Sequence, residues 1–119
     1  MCSSVTESWY LVEWLLAFVL TQAVECPIYA RVQRPPRRWL KAFGASALTH
    51  PLLWFVLPCL WPGGYLAMVV AGETMVVTIE GLYLAAIGVR RFWLWSPLAN
   101  AASLTLGLFI QWLRAGHGG

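Results

Sequence analysis

The sequence contains no Asp, and only 11% of its 119 residues are charged. A soluble domain of this length needs roughly a quarter Asp, Glu, Lys and Arg to dress its surface. The shortfall excludes a soluble enzyme. It excludes a disordered tail as well, because disorder requires low hydrophobicity and abundant charge. Three Cys are too few for a secreted disulfide scaffold. No CxxC, HExxH, Glu-x-x-His, GxSxG or glycine-rich phosphate loop occurs. What is present is apolar mass: 60% hydrophobic residues, eight Trp, and a mean hydropathy of +0.66. That composition points to an integral membrane protein.

The net charge of +3 is no sign of nucleic-acid binding, because the basic residues form no groove module. Arg31, Arg34, Arg37, Arg38 and Lys41 crowd one stretch, Arg90 and Arg91 another, and Arg114 stands alone. Basic residues gathered between apolar runs set topology and meet lipid headgroups.

Four apolar segments follow, at about 9–30, 39–61, 65–89 and 92–113. A helix of roughly 20 residues crosses a ~30 Å hydrocarbon core. Barrel strands would need a period-two alternation that these segments lack. The breaks fall at Gln33-Arg34-Pro35-Pro36-Arg37-Arg38, at Trp61-Pro62-Gly63-Gly64 and at Arg90-Arg91. Residues 115–119 read as a frayed tail. The expected fold is all-α: a single transmembrane domain, a bundle of four helices in two hairpins.

The first and third connections hold seven of the eight Lys and Arg. The positive-inside rule therefore puts them in the cytoplasm and both termini outside. Trp9, Trp39, Trp61, Trp93, Trp95 and Trp112 fall near segment ends as an aromatic belt, leaving Trp14 and Trp54 to pack inside. The first segment lacks a basic n-region and a small-x-small cleavage site, so it reads as a permanent helix. Cys2 and Cys59 fall toward the same side, where an oxidising compartment permits a disulfide. Without a redox or ligand spacing, all three Cys read first as small buried apolar side chains.

The informative residues are the polar ones inside the spans. Thr21, Glu25 and Tyr29 are four apart and share a helix face, as do Ser46 and His50, with Thr49 beside them. Glu73 and Glu80 lie two turns apart on one face. Ser96, Asn100 and Ser103 form a stripe that Gly107 continues. Counted from the segment ends at ~1.5 Å per residue, Glu25, His50, Glu80 and Asn100 fall within roughly 10 Å of depth. A charged side chain facing lipid at mid-bilayer costs about 2.5–3.5 kcal/mol on insertion scales. Three unpaired Glu would cost on the order of 10 kcal/mol, so the faces are expected to converge.

Glu25, His50, Glu73 and Glu80 are thus the candidate ligands of a divalent metal or the carriers of protons. Asn100, Tyr29, Ser46, Thr49 and Ser103 would support them. An intramembrane enzyme using His50 with a Glu, or with Ser96 or Ser103, is a further reading. A third is a non-catalytic accessory subunit whose polar residues lock helices or a partner together. Four short helices are few for a lone transporter, so a homo-oligomer or a larger membrane partner is expected.

The landmarks run Glu25-x-Pro27-x-Tyr29, Leu48-Thr49-His50-Pro51-Leu52-x-Trp54, Gly72-Glu73 with Glu80 seven on, and Ala99-Asn100-x-x-Ser103. Their order resembles small bacterial four-helix integral membrane proteins of uncharacterised function. The resemblance spans nearly the whole chain and implies a bacterial inner membrane. It carries no substrate.

Overall fold

The computed structural model describes residues 2–116. A short 3-10 turn, Cys2–Thr6, precedes four helices: α1 Ser8–Val32, α2 Arg38–Leu60, α3 Tyr65–Ala86 and α4 Phe92–Gly116. Each is long and apolar enough to cross a membrane. Closest packing runs around a ring, from α1 to α2, α2 to α3, α3 to α4 and back to α1. Both arginine-bearing connections lie at one end of the bundle. The 61–64 turn lies at the other, with the start of α1 and the end of α4. Of the six tryptophans expected near helix ends, Trp9, Trp39, Trp93 and Trp112 stand exposed, whereas Trp61 and Trp95 are half-buried, Trp95 against the core cluster; Trp14 stacks on Phe18.

The helix ends have local causes. The third helix stops at Ala86, short of the expected 89, because Gly88 adopts φ +93°. Val89 N–H donates to the Leu84 carbonyl at 2.9 Å and Gly88 N–H to that of Ala85 at 3.1 Å. This is a Schellman cap, sealed by contact of the buried Val89 with Leu84 in the core cluster. The fourth helix runs on through Ala115 and Gly116, which had read as tail; residues 117–119 of that expected tail lie outside the described residues.

The second helix is not uniformly α. Pro51 has no N–H for the Ala47 carbonyl, and the segment immediately after it, Leu52–Val56, widens into a π turn. Pro58 likewise has no N–H for the carbonyl of Trp54, and the Tyr10 hydroxyl donates to that carbonyl instead. The sequence assigned Pro58, with Pro62, only a shaping role at the helix end, and it read Pro51 as freeing the Ala47 carbonyl.

The cysteines need a correction. Cys2 and Cys59 form a disulfide that ties the N-terminal turn to the end of α2, and Cys26 is free and half-exposed. None of the three is a buried apolar filler. The topology brings Cys2 and Cys59 together because α1 and α2 are antiparallel neighbours. At the same end the exposed Arg114 and Glu13 meet at 3.4 Å, a pairing worth about 0–1 kcal/mol.

Gly88 and Gly107 give a paired test. A Cβ at either would meet nothing within 4 Å, but only Gly88 has a positive φ. Gly88→Ala is expected to destabilise by about 1–2 kcal/mol, the penalty of a left-handed residue. Gly107→Ala in α4 is expected to stabilise by roughly 0.5–1 kcal/mol. Thermal unfolding in detergent followed by circular dichroism measures both; equal effects would refute the cap.

Candidate functional site

The polar faces converge. Glu25, Tyr29, Ser46, Thr49, Glu80, Ser96, Asn100 and Ser103 are all buried between the four helices. Helical spacing delivers them: Glu25 and Tyr29 from α1, Ser46, Thr49 and His50 from α2, Glu80 from α3, and Ser96, Asn100 and Ser103 from α4. Small residues allow the approach. At Gly44 a Cβ would lie 2.6 Å from the Tyr83 hydroxyl oxygen, so α2 and α3 close there only without a side chain. The Tyr83 hydroxyl donates to the Lys41 carbonyl at 2.8 Å across that contact.

Two carboxyls organise the centre. Glu80 accepts from the Tyr29 hydroxyl at 2.7 Å, from Asn100 Nδ2 at 3.0 Å and from the Thr49 hydroxyl. Its donors thus come from α1, α4 and α2. Asn100 is itself aimed by a second bond from Nδ2 to the Ser96 carbonyl at 2.8 Å. Glu25 accepts from Ser46 at 2.7 Å and from the Ser103 hydroxyl. Every partner named is a neutral hydroxyl or amide, and among the described residues no Lys or Arg pairs with either group.

His50 goes elsewhere. Its Nε2 lies 3.3 Å from the Thr21 hydroxyl, its ring sits between those of Phe18 and Trp54, and its Nδ1 has no partner. It bonds neither to a Glu nor to a serine. Ser96 donates to the Val77 carbonyl at 2.6 Å, and Ser103 to Glu25, so the serine–histidine pair weighed for an enzyme is not formed. Glu73 is half-buried, and among the described residues it has no hydrogen bond or ion pair.

Glu25, His50, Glu73, Glu80, Asn100 and Ser103 line one cavity of about 410 Å3, whereas Tyr29, Ser46, Thr49 and Ser96 lie behind its lining. Glu25, Glu80, Asn100 and Ser103 form its floor near the bundle middle. Thr21, His50 and Glu73 stand on its walls, and Trp9, Tyr10, Trp54 and Tyr65 line it toward the 61–64 turn. Trp9 and Tyr65 are 58% and 65% exposed, so the cavity reaches the surface at that end. Three carboxyls line it, and among the described residues no Lys or Arg does. Likewise among the described residues, no three His, Cys, Asp or Glu groups come together to hold a metal ion. Glu25 and Glu80 face hydroxyls, His50 faces Thr21, and Glu73 is about 10 Å along α3 from Glu80.

The sequence brought the right faces inward but gave no account of the partners. Thr21 had been placed on the Glu25 face without a task. The Tyr10 contact to Trp54 had no sequence signal beyond the spacing of Trp54 and Pro58. The buried Gln33, whose amide atoms have no partner, also escaped notice. No family model, curated protein or solved structure matches this chain.

Glu80→Ala would strand donors on three helices. Each unsatisfied buried group costs about 1–3 kcal/mol, so a loss of roughly 3 kcal/mol or more is expected. Glu80→Gln keeps an acceptor and the shape, and should lose about 1 kcal/mol. Unfolding of the two variants in mixed micelles checks the difference. Indistinguishable losses would mean the donors are not bound to Glu80.

Proposed function

We propose that this chain is a small multi-pass protein of a bacterial inner membrane whose buried acidic centre binds a cation, protons foremost, in transport or sensing. Glu25 and Glu80 would carry the charge, with Glu73 and His50 on the path to them and Asn100, Tyr29, Ser46, Thr49 and Ser103 as the fixed donors. The carrying observation is that Glu25, Glu73 and Glu80 line one cavity on which, among the described residues, no Lys or Arg stands. A buried carboxylate without a counter-charge is strongly unfavourable. Two neighbouring ones demand a proton or a bound cation. The hydroxyl donors hold the carboxyls in place in either case, which lets the positive charge come and go without collapse of the core.

The clustering of Arg31, Arg34, Arg37, Arg38, Lys41, Arg90 and Arg91 at one end of the bundle supports an orientation with that end in the cytoplasm and both termini outside. The Cys2–Cys59 bond at the opposite end fits an oxidising exterior. The exposed apolar belt, which includes Leu15, Leu66, Leu82 and Phe109, suits lipid or a second copy.

A second reading has one observation in its favour. Every oxygen of Glu25 and Glu80 already has a donor, as a purely structural lock or accessory subunit would require.

Trp9 and Trp54 line the cavity and report on it. Protein in lipid nanodiscs is titrated with protons, Na+, K+, Mg2+ and Zn2+ while Trp fluorescence is followed. The proposal expects a saturable response to at least one of these. Glu25→Gln and Glu80→Gln should each weaken it about tenfold or more, with the helical signal intact. No response to any of them, with both variants instead losing a co-purifying partner, would leave the accessory reading standing.

A further inference from the structure

The shape and lining of the cavity speak to the kind of cation. A volume of about 410 Å3 lies within the range of small-molecule pockets, roughly 300–1,000 Å3. It exceeds the share of about 30 Å3 that one water takes in the liquid by more than tenfold. A bare ion would leave most of it unfilled. The polarity is graded as well: the floor is carboxyl, hydroxyl and amide, whereas toward the surface the walls are aliphatic and aromatic apart from Glu73 and Gln111. An occupant that fits both has a cationic head and an apolar body.

Within this lining the three carboxyls differ. Those of Glu25 and Glu80 are already held by hydroxyl and amide donors. Glu73 is unengaged among the described residues, and it stands on the wall between the floor and the ring of Trp9, Tyr10, Trp54 and Tyr65. A carboxylate and several aromatic side chains lining one cavity supply the chemistry that recognises an ammonium group with an apolar body, by charge-assisted hydrogen bonding and by cation–π attraction. His50 adds a second open group: it is 8% exposed, lines the same cavity, and leaves Nδ1 without a partner.

We infer that the cavity takes a protonated amine with an apolar body, its ammonium on the Glu73 carboxylate and its body among the aromatic rings near the 61–64 turn. This rests on the reading of the interior as a cation site and names the class of cation. Glu25 and Glu80 beneath it then hold the charge that answers the ligand's arrival.

The test uses the full chain in mild detergent. Binding of 2-phenylethylammonium is measured by calorimetry and Trp fluorescence, beside its neutral analogue 2-phenylethanol and beside zinc chloride. The expected result is saturable amine binding, at least about tenfold tighter than the alcohol, with Glu73→Gln losing about tenfold and Glu73→Asp keeping part of the affinity. Because Glu73 has no partner to lose, Glu73→Gln should melt as the parent does, which separates binding from folding. Equal binding of amine and alcohol, or an unchanged affinity in Glu73→Gln, overturns the inference. Zinc or proton responses through Glu25 and Glu80 without amine binding overturn it too, and leave the cation site itself standing. Silence from amine, zinc and protons overturns both.

Discussion

The carboxyl of Glu80 sits on α3 and takes hydrogen bonds from Tyr29 on α1, Thr49 on α2 and Asn100 on α4. One side chain thus joins all four helices at a single point. Glu25 repeats the device one level over, joining α1 to Ser46 of α2 and Ser103 of α4. Were these helices to lie in lipid, they would gain little from burying apolar surface against one another, and polar contacts and close packing would carry more of the specificity. Such a network is all-or-none. When fully satisfied it fixes one arrangement of the helices, and when half satisfied it is worse than an apolar core.

The same centre shapes what surrounds it. Where α2 and α3 cross, Gly44 leaves the room that the Tyr83 side chain takes to reach the Lys41 carbonyl. Toward the 61–64 turn the ring loosens into the cavity. There α2 departs from α-helical geometry between Pro51 and Pro58, and Tyr10 takes up the Trp54 carbonyl left over. The disulfide and the Arg114–Glu13 pair hold that looser end together from outside. The opposite end is closed instead by packing of Tyr29, Ala30, Ala42, Ala45, Leu84, Val89 and Ala99. One end is therefore sealed and the other accessible, an asymmetry that suits entry to the acidic floor from one side.

Much of this was written in the sequence, for a physical reason. An ionisable residue inside a 20-residue apolar run has few tolerable positions, so Glu25, Glu80 and Asn100 had to face inward, and the four-residue spacings of Thr21, Glu25 and Tyr29 said which way each helix turns. Tertiary pairing was not legible. A Glu–His contact was the natural expectation for His50, but a one-dimensional reading cannot set relative helix rotation, and Thr21 rather than a carboxyl lies opposite the ring. Cys2 and Cys59 are 57 residues apart; the helix topology put them on one side and permitted their disulfide, but the lack of any redox spacing made apolar packing the first reading. The π turn was half visible: Pro51 announces a freed carbonyl, but how the chain absorbs it depends on its neighbours. Glu73 was expected beside the other ligands, and its lack of a hydrogen bond or ion pair among the described residues is what now gives it interest.

The account stands on the convergence at Glu80, and an interatomic distance tests it most directly. In protein reconstituted in bilayers, with 15N at the Asn100 side-chain amide and 13C at the Glu80 carboxyl, solid-state NMR measures their dipolar coupling. The predicted result is the strong coupling of a hydrogen-bonded pair, with Nδ2 3.0 Å from Oε1. A coupling too weak to detect would mean that α3 and α4 present other faces to each other and that the four helices share no common carboxyl.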